Sequence, residues 1–477
     1  MKPHTMSIAT RLGLALLAAL VLATCSDSTT TVTPAPSAPT GLTAAGISHQ
    51  VTLTWNAVSG ATSYTLYWSN TSGTGKSGTA VAGVTSPYVH SGVKDAIAYF
   101  YVVTATGAGG EGPASAEVSP TPIVYLAAAA GAYHAVALKS GGALWAWGDN
   151  SQGQLGDGTT NPQAAPVPIA TSSAWKSVAA GAYHTVAVKS DGTLWAWGAL
   201  ASTSPSPTQI GASALWQSIS AGAYHTAGIL SDGTLWAWGR NTYGQLGDGT
   251  TVDKTAPVQI GVATTWSAVA AGTGHTAAVM SDGTLWAWGY NFYGQLGDGT
   301  TVDKAAPVQI GVATNWRSVA AGAGHTVAVK TDGTLWAWGY NVYGQGGPTS
   351  SLTYCNGSYA CNPAPVQVGS ASNWTGIAAG AGHTVAVKGD GTLWALGGNW
   401  DGQLGDGTTA GHTSPVRIFA AGTWPIIAAG PSYSLGRKSD GTLWAWGSNR
   451  YGQLGQATPE AVCGGAYPCA PTPVQVP

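Results

Sequence analysis

Six histidines stand at equivalent places along the chain, His134, His184, His225, His275, His325 and His383, with Tyr433 at the seventh. Histidine ligates metals and shuttles protons, so such a series invites a metal-centre reading. Each one, however, opens a strand in a separate repeat. Ligands must converge on one ion at about 2 Å, whereas packed sheets lie about 10 Å apart. Equivalent histidines therefore cannot share a metal, and a strand-start histidine bonded to nearby backbone is expected. A second series, Asp157, Asp248, Asp298 and Asp406, sits in Leu-Gly-Asp-Gly-Thr. It lacks the closing bidentate glutamate of a calcium loop, and turn formation by Asp-Gly is the expected role. A catalytic centre needs a singular nucleophile or acid–base pair in one pocket. A row of near-identical repeats offers none, so no catalytic residue, metal or cofactor is assigned and the protein is expected not to be an enzyme.

A third set suits binding. Before the histidines, Tyr133, Tyr183 and Tyr224 give way to Gly274, Gly324, Gly382 and Ser432. After each Trp-Gly the residues also vary: Asp149, Arg240, Tyr290 and Tyr340 at one position, Thr242, Phe292, Val342, Trp400 and Arg450 at another. Large aromatics and arginine dominate binding hot spots. The candidate binding residues are Tyr133, Tyr183, Tyr224, Arg240, Tyr290, Phe292, Tyr340 and Trp400, the alternative being that some of them pack under loops. The tyrosines of the near-constant Asn-x-Tyr-Gly-Gln run, Tyr243, Tyr293, Tyr343 and Tyr451, are assigned to the fold of the loop itself.

The elements that must position these residues repeat. Thr284 to Gly289, Thr-Leu-Trp-Ala-Trp-Gly, recurs with its flanks, and the first tryptophans, Trp145, Trp195, Trp236, Trp286, Trp336, Trp394 and Trp444, step mostly by 50 residues. One such unit cannot bury its own apolar face, so stacking sets the fold. Short β-branched, aromatic and small-apolar runs broken by glycine read as four antiparallel strands per unit. Asp-Gly, as at Asp282-Gly283, predicts a two-residue type I′ hairpin with positive φ at both residues. Alternating strand direction then puts the Ala-Gly-x-x-His loop and the loop after Trp-Gly on one face, and the Asp-Gly hairpin on the other. The small-residue Ser-Val-Ala-Ala-Gly strand is expected innermost and the Pro-Val-Gln strand outermost, with both terminal units complete and ring closure resting on side-chain packing alone.

The Ala-Gly-x-x-His run, the Asp-Gly turn, the Trp-Gly and the Asn-x-Tyr-Gly-Gln-Leu-Gly of Asn291 to Gly297 resemble repeats of the regulator of chromosome condensation family. The resemblance covers residues 125–477 and implies a seven-bladed β-propeller in an all-β chain. It also implies, as one functional alternative, guanine-nucleotide exchange on a small GTPase.

Ahead of the repeats, Lys2 and Arg11 precede an apolar run from Leu12 to Ala23, too short to span a bilayer and shaped like a signal peptide over residues 1–24. Leu22-Ala23-Thr24-Cys25 resembles a bacterial lipoprotein cleavage box, which implies lipidation of Cys25; Thr24 departs from the usual small residues, and ordinary signal cleavage is the alternative. Residues 25–37 read as a Ser/Thr/Pro tether. Residues 38–122 carry period-2 strands and are similar to a fibronectin type III β-sandwich, with Trp55 in the core and Tyr99 as corner tyrosine.

Only 8% of residues are charged and the net charge is −2, with no Lys/Arg cluster to displace counterions, which excludes a nucleic-acid partner. Cys355 and Cys361 enclose five residues, as do Cys463 and Cys469. Two local disulfides in an oxidising compartment are expected, with a four-cysteine zinc site as the alternative. The sequence therefore reads as an exported, lipid-anchored monomer at the outer membrane or cell surface, or else secreted or periplasmic. One loop face is expected to bind an extracellular or envelope protein or a glycan. A lectin or enzyme acting on cell-wall glycans is a further alternative.

Overall fold

The computed structural model describes residues 33–477 apart from 48, 96, 123, 170–173, 200–202, 212–214, 348–352, 420–421, 457–460 and 464–466. The signal segment, Cys25 and most of the tether lie outside the described residues. The chain is almost entirely β, with one short 3-10 turn, Gly75–Ser77, among the described residues.

The N-terminal region holds a three-stranded and a four-stranded antiparallel sheet, the latter centred on Ser63–Ser69 and Phe100–Gly107. Val51, Leu53, Trp55, Leu66, Tyr99, Tyr101 and Val103 form their common buried core. The Tyr99 hydroxyl accepts the Lys94 N–H at 2.8 Å, so the aromatic body is buried and its polar tip is satisfied by backbone five residues upstream.

The repeat region is a succession of antiparallel sheets. The first consists of Tyr125–Ala130, His134–Lys139, Ala143–Gly148 and Gln163–Ile169, paired in that order. Sheets of the same order follow, starting at Trp175, Trp216, Trp266, Trp316, Trp374 and Ile426. The fifth and seventh each carry an added edge strand, Thr353–Cys355 and Ala461–Cys463. The small-residue first strands of successive sheets touch one another, and the last touches the first, so these strands are innermost and the Pro-Val-Gln strands lie outside. Small side chains suit the place where the sheets crowd.

The core lies between sheets. Ala277, Val279, Leu285, Leu296 and Ile310 of the fourth sheet bury against Trp316, Ala328 and Trp338 of the fifth. Second strands such as His275–Met280 are buried on both faces up to their last residue, which is why they read as continuous apolar runs rather than as alternation. The hairpin differs from the sequence expectation. Gly283 has φ +78° but Asp282 does not have positive φ, and the Gly283 N–H donates to the Met280 carbonyl at 2.9 Å. The connection is thus a turn closed by a left-handed glycine rather than a type I′ pair. Asp282 instead uses its carboxylate to accept the Thr284 N–H at 2.9 Å and hydroxyl at 2.7 Å. A Cβ on Gly283 would lie 2.1 Å from the Thr314 carbonyl of the incoming strand, so the glycine also admits the next sheet.

Closure uses hydrogen bonds as well as packing, contrary to the sequence expectation. At internal junctions the N–H of the first tryptophan donates to the hairpin glycine of the preceding sheet, as Trp316 does to Gly283 at 3.0 Å. Tyr125 stands in that tryptophan's place and donates to Gly441 at 3.2 Å, so the seam repeats the internal bond. The Tyr125 hydroxyl adds a 2.6 Å bond to the Pro477 carbonyl, and Trp147 Nε1 donates to the Gln453 carbonyl at 2.9 Å.

Candidate functional site

The register pairs His275 with Gly289 and Val279 with Leu285. The loop before the histidine and the loop after Trp-Gly therefore emerge together, at the end opposite the Asp-Gly turn, and the Tyr290 N–H donates to the Gly274 carbonyl at 2.8 Å. This loop face holds all eight candidate binding residues.

The histidines lie beneath that face and are fully buried. Their partners are not backbone groups, as the sequence suggested, but hydroxyls of the next sheet: His275 Nε2 lies 2.9 Å from Thr326 Oγ1. Thr326 donates its own proton to the Gln295 carbonyl at 2.7 Å, so it must accept from His275, which fixes Nε2 as the protonated nitrogen. The same arrangement joins His134 to Thr185, His225 to Thr276, His325 to Thr384 and His383 to Ser434. Burial drives the pKa of His275 down to about 3, and the nearby His225 and His325, which would repel its charge if protonated with it, lower it further, so the ring is neutral. A Cβ on Gly272 would meet the ring at 2.6 Å, which accounts for the glycine three residues before it. At the seam Tyr433 takes the histidine's place, and its hydroxyl donates to the His134 carbonyl at 2.6 Å.

The acidic series builds loops. Asp298 accepts Thr300 N–H and hydroxyl at 2.9 and 2.8 Å and Asn291 Nδ2 at 3.1 Å, with Lys304 at 3.5 Å. Among the described residues no cluster of three His, Cys, Asp or Glu side chains is placed to hold a metal. The cysteines pair as Cys355–Cys361 and Cys463–Cys469, with Cα atoms 5.9 and 5.8 Å apart.

On the surface the aromatics form a belt. Tyr133 packs on Tyr183 with centroids 5.3 Å apart, Tyr183 on Tyr224 at 6.2 Å, and the Arg240 guanidinium lies over Tyr224 at 5.6 Å. Further round, Tyr243 meets Tyr290 at 4.5 Å, Tyr290 stacks on Phe292 at 6.2 Å, and Tyr293 meets Tyr340 at 4.8 Å. Tyr343 meets Trp400 at 4.7 Å. The belt draws on two loops in turn. In the first three sheets the aromatic precedes the histidine; in the fourth and fifth it follows Trp-Gly, and Gly274 and Gly324 leave room for it, a Cβ on either lying 3.2 Å from the Cβ of Tyr290 or Tyr340. Burial and neighbouring phenols push Tyr183, Tyr290 and Tyr340 up to about 12, so the face presents neutral hydroxyls.

Tyr243, Tyr293, Tyr343 and Tyr451 belong to this belt rather than to the loop fold. The loop is held by Asn291, whose Oδ1 accepts the Leu296 N–H at 3.0 Å, and by Gln295, whose Oε1 accepts the Tyr293 backbone N–H at 2.9 Å. The tyrosine side chain is free of that duty, and Tyr343 is 42% exposed. Sequence reasoning also missed Tyr359 and Tyr467. Both lie in the disulfide-closed hairpins, Tyr359 against Phe292 at 5.9 Å and Tyr340 at 6.2 Å, Tyr467 under the Arg450 guanidinium at 4.2 Å. The available signal was a tyrosine inside each short Cys-Cys loop.

Among the described residues, two concavities on the face stand out. One, of about 250 Å³, is the central mouth, walled by Ala-Gly-x segments from every sheet, where x is alanine except at Thr273 and Pro431. There N–H groups donate from sheet to sheet, as Thr273 does to Gly322 at 3.2 Å. The other, of about 450 Å³, lies where the sixth, seventh and first sheets meet, and its wall includes Tyr133, Trp400, Asp401, Ser432, Arg450 and Tyr467.

The regulator of chromosome condensation (RCC1) repeat matches residues 141–188 and, in a second form, residues 127–154. No curated protein matches the chain in sequence. Prp20p from Saccharomyces cerevisiae, a protein studied for its binding to Gsp1p and histones, superposes with TM-score 0.59 at 24% identity over 65% of this chain and 82% of that one. Yeast RCC1 (Prp20) bound to Kap60 gives 0.60 at 19% identity, over 70% and 83% of the two chains. Human WBSCR16 gives 0.57 at 20%, over 64% and 84%. At these identities the likeness is one of fold, and function has to be argued from the site. The RCC1-like domain matches residues 201–477, more than half of the chain, so the protein belongs to the RCC1-like domain family and its repeated sheets form an RCC1-like β-propeller.

Proposed function

We propose that this protein is an exported binding module rather than an enzyme, and that its loop face grips an extracellular or envelope protein or a glycan. In this reading the repeat region is a complete seven-bladed propeller, the N-terminal sheets are a fibronectin type III spacer, and a lipid on Cys25 anchors the chain to a membrane without spanning it. The observation that carries the reading is the aromatic belt. The framework beneath it is nearly constant from repeat to repeat, while the side chains on it change, as expected where a face is shaped for a partner. Nucleotide exchange on a small GTPase rests on fold alone, since Gsp1p binding is a property of the yeast protein, and no observation here favours it.

The test is a pull-down from extracellular and envelope fractions with wild type, the Tyr290→Ala/Phe292→Ala double variant and Asp282→Ala on the opposite face. Truncating a true anchor is expected to weaken capture by about 2 kcal/mol or more, while Asp282→Ala captures like wild type. A partner held equally by all three sinks this part of the face as the contact. Membrane fractionation tests the anchor: Cys25→Ser should move the protein to the soluble fraction, and a wild type already soluble removes the lipid from the account.

A further inference from the structure

Several departures of this chain from its own repeat converge on one place. In the loop Asn-x-Tyr-Gly-Gln the tyrosine becomes Asp401 in the sixth sheet. In the seventh sheet the histidine becomes Tyr433, the residue before it Ser432, and the residue after Trp-Gly Ser448, where the fourth and fifth sheets have Tyr290 and Tyr340. Between the fourth and fifth sheets the corresponding space is filled by Tyr293 against Tyr340. Between the sixth and seventh the pair has become Asp401 and Ser448, and the space is the cavity of about 450 Å³. That volume falls in the range of small-ligand sites, roughly 300–1,000 Å³.

The wall of this cavity is specific. Trp400 lies across two glycines, since a Cβ on Gly398 would be 2.0 Å from its ring and one on Gly382 2.8 Å, and Tyr343 abuts it at 4.7 Å. The indole is therefore fixed in place while 39% exposed, a ready-made platform. Tyr133 and Tyr467 add aromatic surface, and the Arg450 guanidinium lies over Tyr467 at 4.2 Å and Tyr451 at 5.5 Å. Among the described residues no ion pair joins Asp401 or Arg450 to any partner. Burial raises the Asp401 carboxyl above its ordinary range against a lowering bond from Ser432, so the group is incompletely solvated.

We infer that this seam cavity is a carbohydrate site, taking one or two pyranose rings at the end of a neutral glycan. An anion would face Asp401, a cation would face Arg450, and a hydrocarbon would strip water from both charges without replacing its bonds. A pyranose has a C–H face to lie on Trp400 and an edge of hydroxyls, each donor and acceptor, to give protons to Asp401 and to the Ser432 oxygen and accept them from Arg450. The inference rests on the reading that the loop face binds, and assigns part of that face a ligand class.

The test is calorimetric titration of the protein with maltose, cellobiose, chitobiose and lactose, with glycylglycine as a zwitterionic control. At least one disaccharide is expected to bind. Losing a charge-assisted hydrogen bond in Asp401→Asn, or the platform in Trp400→Ala, should weaken it about tenfold or more. The Asp401→Tyr/Ser448→Tyr double variant restores the filled junction, and should keep the circular dichroism and melting of wild type while abolishing sugar binding. Absence of binding by every disaccharide, full binding by the filled but folded variant, or glycylglycine binding in place of the sugars overturns the inference. Asp282→Ala, on the opposite face, should leave sugar affinity unchanged. A protein partner lost by Tyr290→Ala/Phe292→Ala, with no disaccharide bound by the wild type, would leave the general reading standing and this inference refuted.

Discussion

The two faces of the repeat region differ in what is held constant. On the hairpin face the same Asp-Gly-Thr-Leu-Trp turn recurs, and a lysine at the end of the second strand lies over tryptophan faces, as Lys330 does over Trp336 at 4.1 Å and Trp316 at 4.7 Å. On the loop face the buried Asn and Gln recur, but the side chains they display do not. A framework whose hydrogen bonds run through backbone, Asn, Gln and a buried His–Thr chain leaves the outward positions chemically unassigned. The hairpin face has no such freedom, because its glycine must admit the next sheet and its aspartate must hold its own turn. Variation between repeats is thus concentrated on the loop face; the hairpin face shows fewer exchanges, such as Gly141 for the aspartate and Leu230 or Met280 for the lysine.

The largest expected effect separates scaffold from face. The six buried histidines have pKa values near 3, or near 4 for His325, because burial disfavours the charged ring, against an ordinary 6.5. Below pH 6.5 the unfolded chain takes up protons that the folded chain refuses, so stability falls on acidification until about pH 3. The slope approaches about 1.4 kcal/mol per pH unit for each histidine. Denaturant titrations from pH 7 to 4 should show it, and His275→Gln, which keeps a donor toward Thr326, should reduce the slope by one histidine's share. An unchanged slope would mean that His275 does not behave as a buried neutral group. The belt phenols do not titrate in this window, so they add nothing to the acid response.

The smallest effect tests the hairpin face. Lys330→Met removes a cation from two indole faces and should cost about 0.5–1 kcal/mol, read as a lowered melting temperature at low salt. The fourth sheet has Met280 at the same position, so the fold tolerates the change. A loss of several kcal/mol would show this face to be less interchangeable than the comparison holds.

Much of this was legible in the chain. The Trp-Gly period, the glycines and the short apolar runs gave repeated four-stranded sheets, and strand alternation put the variable loops on one face. The roles of individual side chains were less legible. Tyr293 reads as a loop residue because it recurs, yet recurrence in a ring also arises when each copy touches the next. Asp401 is not legible as a site residue, because one acid in a turn-rich loop carries no local signal.

What the sequence by itself determined is the repeating unit, since backbone propensity, turn glycines and the burial of alternate or continuous apolar runs act over short spans. What the tertiary structure decided is everything that depends on a neighbouring sheet. This includes the hydroxyl that each histidine finds, the hydrogen bonds from Tyr125 and Tyr433 across the seam, and the cavity left where Asp401 meets Ser448. These contacts join residues about one repeat apart or, at the seam, some three hundred apart, as Tyr433 and His134 are. No local pattern encodes such a distance; stacking the sheets and closing the ring brings the partners together.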